Sequence, residues 1–297
     1  MNPDVALAVD VGGTKMAVGV VDADATIRHQ LTAPTPVEAD AEELFAVLAG
    51  LVKSVLSDTP GDTPGDVAVV CGVGCGGPMS PGGAQVSPLN IPGWRGFPLR
   101  SRLAELTGLP TFVDNDAKAL ALGEHWAGAA AGVADFIAMV VSTGVGGGII
   151  LDGRLLDGAG GNAGHIGHVI VEPGGRRCAC GASGCLEAEA SGSAIAAVTG
   201  RPASEAGPEV RARTGRLVGR ALASVANLLD LRLAVVGGSV ALGFGTAFFD
   251  AAQGELDRSA RLSFSTGARV VPVGLGRSGP LVGAAAVGWR GLGRDVP

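Results

Sequence analysis

Four residues in one short stretch have the types and spacing of a metal shell. His168, Cys178, Cys180 and Cys185 read H-x9-C-x-C-x4-C, with Gly181 and Gly184 between the last two cysteines. Three thiolates and one imidazole fill a tetrahedral Zn²⁺ shell and leave no position for water, so the chemistry indicated is a structural staple rather than a catalytic metal. Buried cysteines without a ligand are the plainer alternative, but a C-x-C with a third cysteine so close is uncommon by chance. Cys71 and Cys75 stand apart and read as small core or loop residues.

Three glycine turns point to a second chemistry. They are Asp10-Val11-Gly12-Gly13-Thr14-Lys15, Ser142-Thr143-Gly144-Val145-Gly146-Gly147-Gly148 and Gly237-Gly238-Ser239, and each follows an apolar run. Successive backbone N–H groups in such turns make concave anion sites, and glycine lets a phosphate approach the chain. The first turn adds an acid, a hydroxyl and a lysine, which together can hold Mg²⁺ and phosphate oxygens. Plain tight turns would explain any one of these segments; their recurrence favours phosphate binding. No Walker A loop is present, because none of Lys15, Lys53 and Lys118 follows a glycine. Gly72-Val73-Gly74-Cys75-Gly76-Gly77 fits the dinucleotide fingerprint G-x-G-x-x-G. Pro78 and Pro81-Gly82-Gly83 follow it, so no helix opens there to receive a pyrophosphate.

The elements that must position these groups alternate between strand and helix. Residues 5–9 form an apolar strand ending at Asp10, with further strands at 16–21 and 27–31 in an antiparallel meander. Asp40 and Glu43 open a helix as a capping box, continued by Leu44, Val47, Leu48, Leu51 and Val55 at helical spacing. A loop is expected over 57–66, a buried strand over 67–71 running into a glycine cluster, and irregular chain over 78–98. A helix at 98–107, a strand at 111–113 and a helix at 116–127 follow. The second half repeats the opening plan, with a strand at 136–141, the glycine turn at 142–148 and a strand at 149–151. A helix at 211–229, a strand at 233–236 and an Ala-rich helix from Leu281 complete the chain. The expected architecture is α/β with two lobes. Residues 1–114, joined by the last helix at 281–297, form the N-terminal lobe, and residues 115–280 form the C-terminal lobe with the zinc motif.

Composition excludes several function classes. The 297 residues carry 22 Lys+Arg against 28 Asp+Glu, a net charge of −6, which offers no basic face to a nucleic-acid backbone. Eight Phe, three Trp and no Tyr leave little for stacking on bases. The 50 glycines exceed twice the average usage of about 7% but follow no collagen period. With 47% hydrophobic and 17% charged residues, the chain can build a core. No signal peptide and no membrane span are expected, and clustered cysteines without an export signal fit a reducing, cytoplasmic setting.

In combination these segments resemble the ROK family of sugar kinases and repressors, over nearly the whole chain. Residues 10–15 are similar to that family's first phosphate loop, 142–148 to its second, and 161–168 to its sugar- and zinc-binding segment. Residues 178–187 match the signature C-x-C-G-x-x-G-C-x-E, and 235–240 the adenosine-side loop. The resemblance implies an actin-like ATPase (ribonuclease H-like) fold with a zinc-stapled loop. It also implies an ATP-dependent kinase, with Mg²⁺ and structural Zn²⁺, that phosphorylates the 6-hydroxyl of a hexose or N-acylhexosamine. Its partners would be a small-molecule sugar and a nucleotide, with no nucleic acid or membrane, in a homodimer or higher homo-oligomer.

Carried over residue by residue, the resemblance makes Asp116 the catalytic base. Asn115, His168 and Glu187 become ligands of sugar hydroxyls, with His168 also on zinc, and Asn90 a further sugar contact. Asp10, Gly12, Gly13, Thr14, Lys15, Thr143, Gly144, Gly146, Gly237 and Gly238 fall to the nucleotide. A helix cap is the plainer role for Asp116, and a solvated surface carboxylate for Glu187.

One position departs from the common family pattern. His165 stands where Glu is usual, giving H-x-G-H. A carboxylate only accepts hydrogen bonds, whereas neutral imidazole offers a donor and an acceptor, so the favoured sugar substituent changes. Bacterial N-acetylmannosamine kinases of the family are similar here, while its glucokinases usually carry Glu. His165 is therefore either a sugar-specificity residue pointing to N-acetylmannosamine or a lineage variant in a glucokinase. It also competes with His168 as the zinc ligand, and the motif register favours His168. A repressor would need a helix-turn-helix segment ahead of Asp10 and a basic face. A catalytically dead sugar sensor would not need Asp10, Thr14 and Asp116.

Overall fold

The computed structural model describes residues 4–58 and 68–294. The strands and helices in chain order are β1 (Val5–Val11), β2 (Lys15–Val21), β3 (Ile27–Pro34), α1 (Ala41–Asp58), β4 (Ala68–Cys75), α2 (Leu99–Thr107), β5 (Thr111–Asn115) and α3 (Asp116–Ala127). Then come β6 (Phe136–Val141), β7 (Val145–Leu151), β8 (Arg154–Leu155), α4 (Leu186–Ala190), α5 (Gly192–Thr199), α6 (Pro208–Leu229) and β9 (Leu233–Gly237). The chain closes with α7 (Ser239–Phe244), α8 (Thr246–Ser259), β10 (Arg269–Pro272) and α9 (Gly279–Gly291). No helix among the described residues is long and apolar enough to cross a membrane.

Two compact units result, one of Met1–Gly132, Gly158–Gly161 and Leu275–Pro297, the other of Val133–Asp157 and Asn162–Gly274. Each holds a five-stranded sheet of the same plan, in order β3-β2-β1-β4-β5 in the first and β10-β9-β6-β7-β8 in the second. In both, the leading strand (β1 or β6) pairs antiparallel with the next strand and parallel with a later one. The repeated strand–turn–strand reading thus corresponds to one topology built twice.

The first unit's core is aliphatic. Val5, Leu7, Val9 and Val18 of the sheet are fully buried and belong to one cluster with Leu44, Leu48, Val52 and Val55 of α1. The Asp40 capping box forms, with its side chain accepting from Glu42 N and Glu43 N at 2.9 Å each. α1 runs on to Asp58, so Ser57 and Asp58 are helical rather than the start of the expected loop, whose remaining residues, with Val67, lie outside the described residues. The last residues of the expected 281–297 helix differ too: α9 ends at Gly291 and 295–297 lie outside the described residues.

The first part of the glycine cluster after Cys71 belongs to the strand. β4 continues through it to Cys75 because Gly72 meets the backbone of α9: a Cβ there would lie 2.6 Å from Gly288 N and closer still to Ala284 O. α9 also runs against α3, where a Cβ on Gly123 would come within 3.0 Å of Gly283 Cα. The Ala- and Gly-rich composition of α9 is what this close approach requires. In the second unit, Gly146–Gly148 likewise lie inside β7 instead of in the turn. A Cβ at Gly147 would sit 3.0 Å from Ile166 Cγ2 and 3.1 Å from Gly164 O. α6 and α8 cross at Gly215 and Gly219, beside Ala251 and Glu255.

Gly72→Ala is therefore expected to destabilise the protein by about 1–3 kcal/mol through overpacking, a drop in Tm of several degrees in a thermal melt. An unchanged Tm would remove α9 contact as the reason for this glycine.

Candidate active site

In the first unit, β1 delivers Asp10 to a turn whose backbone is held from several sides. Gly12 N donates to Lys15 O at 3.0 Å, Thr35 Oγ1 donates to Gly12 O at 2.7 Å, and Thr35 N donates to Thr14 O at 3.0 Å. Thr14 and Lys15 are exposed. Sequence reasoning missed Thr35, which sits twenty residues beyond the turn and carries no motif.

Asp116 occupies the first turn of α3 with its side chain exposed. The capping role belongs to Asn115, whose side chain accepts from Ala117 N at 3.0 Å, while Asp116 Oδ1 accepts from the same N–H at 2.8 Å. A Cβ at Gly74 would stand 3.8 Å from both Asp10 Oδ1 and Asp116 Cα, so the two acids flank this glycine. Burial and, less strongly, the negative charge of Asp116 push the Asp10 carboxyl up to about 7 against the pull of Lys15. Asn90 joins the group, since a Cβ at Gly13 would fall 2.6 Å from Asn90 Cβ. Beneath them Asp114, unnoticed in the sequence, accepts Asn115 N at 2.8 Å and pairs with buried Lys118 at 3.1 Å.

In the second unit, the turn at Ser142–Gly144 closes with Ser142 N donating to Gly144 O at 2.9 Å. The start of α5 braces it, as Gly192 N and Ser193 N donate to the carbonyls of Ser142 and Thr143 at 2.7 and 3.2 Å. Thr143 is exposed, whereas Gly146 is a β7 residue opposite Val140. Ser142 Oγ lies 2.9 Å from Ser239 Oγ, linking this turn to the one after β9. There Gly238 has φ +96 and a Cβ would run into the backbone of Val141, so only glycine fits.

Glu187 lies on α4, and its Oε2 accepts from Val145 N at 2.9 Å. Its partner is thus the backbone of the phosphate-loop candidate, which nothing in the local sequence indicates.

His168, Cys178, Cys180 and Cys185 bring one ligand atom each to within 4.8 Å of all the others. Cys178 Sγ is 3.7 Å from His168 Nδ1 and Cys180 Sγ is 3.7 Å from Cys185 Sγ. Zn–S bonds of about 2.3 Å in a tetrahedron place sulfurs about 3.8 Å apart, so the donor set fits Zn²⁺. Burial and the neighbouring sulfurs push the Cys185 thiol up to about 12, and a divalent cation is what would let all three thiols ionise together. His165 is not one of the four; its exposed ring lies 6.1 Å from that of His168, centroid to centroid.

The chain is similar to known proteins over most of its length. The N-acetylmannosamine kinases of Escherichia fergusonii and Citrobacter koseri are 37% and 39% identical to the chain over 257 and 254 residues, each covering 80% of this chain and 84% of the relative. The structure of a ROK family glucokinase from Streptomyces griseus in complex with glucose and AMPPNP superposes with a TM-score of 0.81 at 31% identity, covering 96% of this chain and 99% of that one. That structural match makes the two-sheet architecture the actin-like ATPase fold expected from the resemblance. The model of the ROK family matches residues 6–289, nearly the whole chain, and the chain belongs to that family.

Proposed function

We propose that this chain is a sugar kinase that uses ATP to phosphorylate the 6-hydroxyl of a hexose or N-acylhexosamine, with N-acetylmannosamine as the leading substrate. Asp116 carries the reading: an exposed carboxylate at the start of α3, flanking Gly74 with the acid of the first glycine turn. Phosphoryl transfer to an alcohol needs such a carboxylate, a cation and aligned donors on the phosphates. Asp116 accepts the proton of the sugar hydroxyl as that oxygen attacks the γ-phosphorus in line, and the leaving oxygen departs on ADP.

Asp10 would hold Mg²⁺, which neutralises phosphate charge when bound. Gly12 N is already taken by Lys15 O, so the first turn offers phosphate oxygens the N–H groups of Gly13 and Thr14. Val145 N is likewise taken by Glu187, which leaves Thr143 and Gly144 to present donors from the second turn. Gly237 and Gly238 lie on the adenosine side.

Asn90, Asn115, His165, His168 and Glu187 bind sugar hydroxyls. His168 Nδ1 lies towards Cys178; with that nitrogen given to a metal, Nε2 would carry the proton and donate. Glu187 has Oε1 left to accept. His168, Cys178, Cys180 and Cys185 would hold Zn²⁺, which when bound would fix the segment that carries these groups. The resemblance implies a homodimer or higher homo-oligomer as the working form, and the clustered cysteines fit a reducing, cytoplasmic setting.

His165 and the N-acetylmannosamine kinases at 37–39% identity favour the amino sugar. The fold match to the glucokinase of Streptomyces griseus favours a second reading, glucose to glucose 6-phosphate. ADP release with ATP and Mg²⁺ across glucose, mannose, N-acetylglucosamine, N-acetylmannosamine and allose decides. The highest kcat/KM is expected for N-acetylmannosamine; a glucose preference selects the second reading, and no ADP with any sugar overturns both.

Asp116→Asn should lower kcat by about 100-fold or more with an unchanged melting curve, and near-native turnover would remove Asp116 from its role. Stripping zinc with a strong chelator should raise the sugar KM and lower Tm together. Normal sugar binding by zinc-free protein would leave the metal no part in the site.

A further inference from the structure

α4 has only five residues, too few to hold a helix by its own hydrogen bonds, yet it carries Glu187. What keeps it in place lies on its other side. Glu189 is two residues further on, about 200° around the helix, and is only 3% exposed. Its Oε1 accepts from Arg176 N at 2.6 Å, and its Oε2 meets Arg176 Nη2 at 3.0 Å and Arg213 Nη2 at 2.7 Å. The same guanidinium groups cap the helix end. Arg176 Nε donates to Ala188 O at 2.9 Å, and Arg176 Nη2 and Arg213 Nη1 donate to Glu189 O at 2.8 and 3.2 Å.

Each partner belongs to a different part of the second unit. Arg176 precedes the first cysteine of the metal group by two residues, and Arg213 stands on α6. Gly175 makes room for the arrangement, because a Cβ there would lie 2.5 Å from Glu189 Oε1. Burial works against the Glu189 charge, but the bonds from Arg213 and Arg176 N and the two guanidinium charges outweigh it and hold the carboxyl below its ordinary range.

We infer that Glu189, clamped by Arg176 and Arg213, is a positioning residue that aims Glu187 at the sugar and holds the cysteine loop in register with the helix after it. This rests on the sugar-kinase reading for what Glu187 binds, but not for the effect on the metal group. Glu189 touches no reacting atom and acts through Glu187 and the loop. The ionic clamp ties the loop from the protein side, as the metal does from the cysteine side.

The test uses the zinc-loaded full-length enzyme carrying Glu189→Gln, Arg213→Met or Arg213→Lys. The Arg213 variants change a partly exposed side chain and cover the case in which Glu189→Gln does not fold. Outer-shell partners of a metal site typically contribute about 10–100-fold. Glu189→Gln and Arg213→Met should thus release zinc to a chromophoric chelator about ten-fold faster. The sugar KM should rise by a similar factor while kcat stays within about three-fold, and Arg213→Lys should recover most of both losses. Zinc release at the wild-type rate in both Glu189→Gln and Arg213→Met overturns the inference, and so does a loss confined to kcat. Zinc release needs no turnover, so a wild-type enzyme inactive on every sugar overturns the kinase reading while the clamp is still decided.

Discussion

Backbone meets backbone where α9 crosses β4 and α3, and the acid pair of the first unit depends on that contact. Gly72 and Gly74 are two residues apart on one strand, so they face the same side of the sheet. Gly72 admits α9, Gly283 and Gly123 let α9 and α3 touch, and Gly74 then lies between Asp10 and the start of α3. A side chain at Gly72, Gly123 or Gly283 would force α9 away from β4 or α3 and loosen the packing that sets Asp116 beside Asp10. At Gly72, Gly123 and Gly283 glycine stands where two elements come closer than a methyl group allows.

That use of glycine marks the limit of what could be read from sequence. Strands, the capping box at Asp40 and the strand–turn–strand repeat were legible because their signals are local. So was the cysteine group, whose ligands fall within a short stretch. Glycine, however, has two uses with one local appearance. Gly72 and Gly147 look like turn residues, and only distant partners, Ala284 and Gly164, show that they are strand residues under close contact.

The supports of the site were hidden for the same reason. Glu189 follows Glu187 by two and looks like part of a solvated helix face, while its partners lie 13 and 24 residues away. Thr35 and Asp114 carry no motif at all, although one holds the first turn and the other braces Asn115. Groups proposed to meet a ligand are chemically distinctive and stand out in the sequence; groups that hold them only had to fit.

The bond from Val145 N to Glu187 joins two ends of one unit through a single carboxylate. Whatever draws charge towards one oxygen of that group weakens the other as an acceptor. A ligand on the free oxygen therefore changes how firmly the turn at Ser142–Gly144 is held, and a ligand on the turn changes how strongly the free oxygen accepts. Linkage makes the two effects equal in free energy. The order in which two substrates arrive would then alter the path but not the total, and each would report on the other's occupancy.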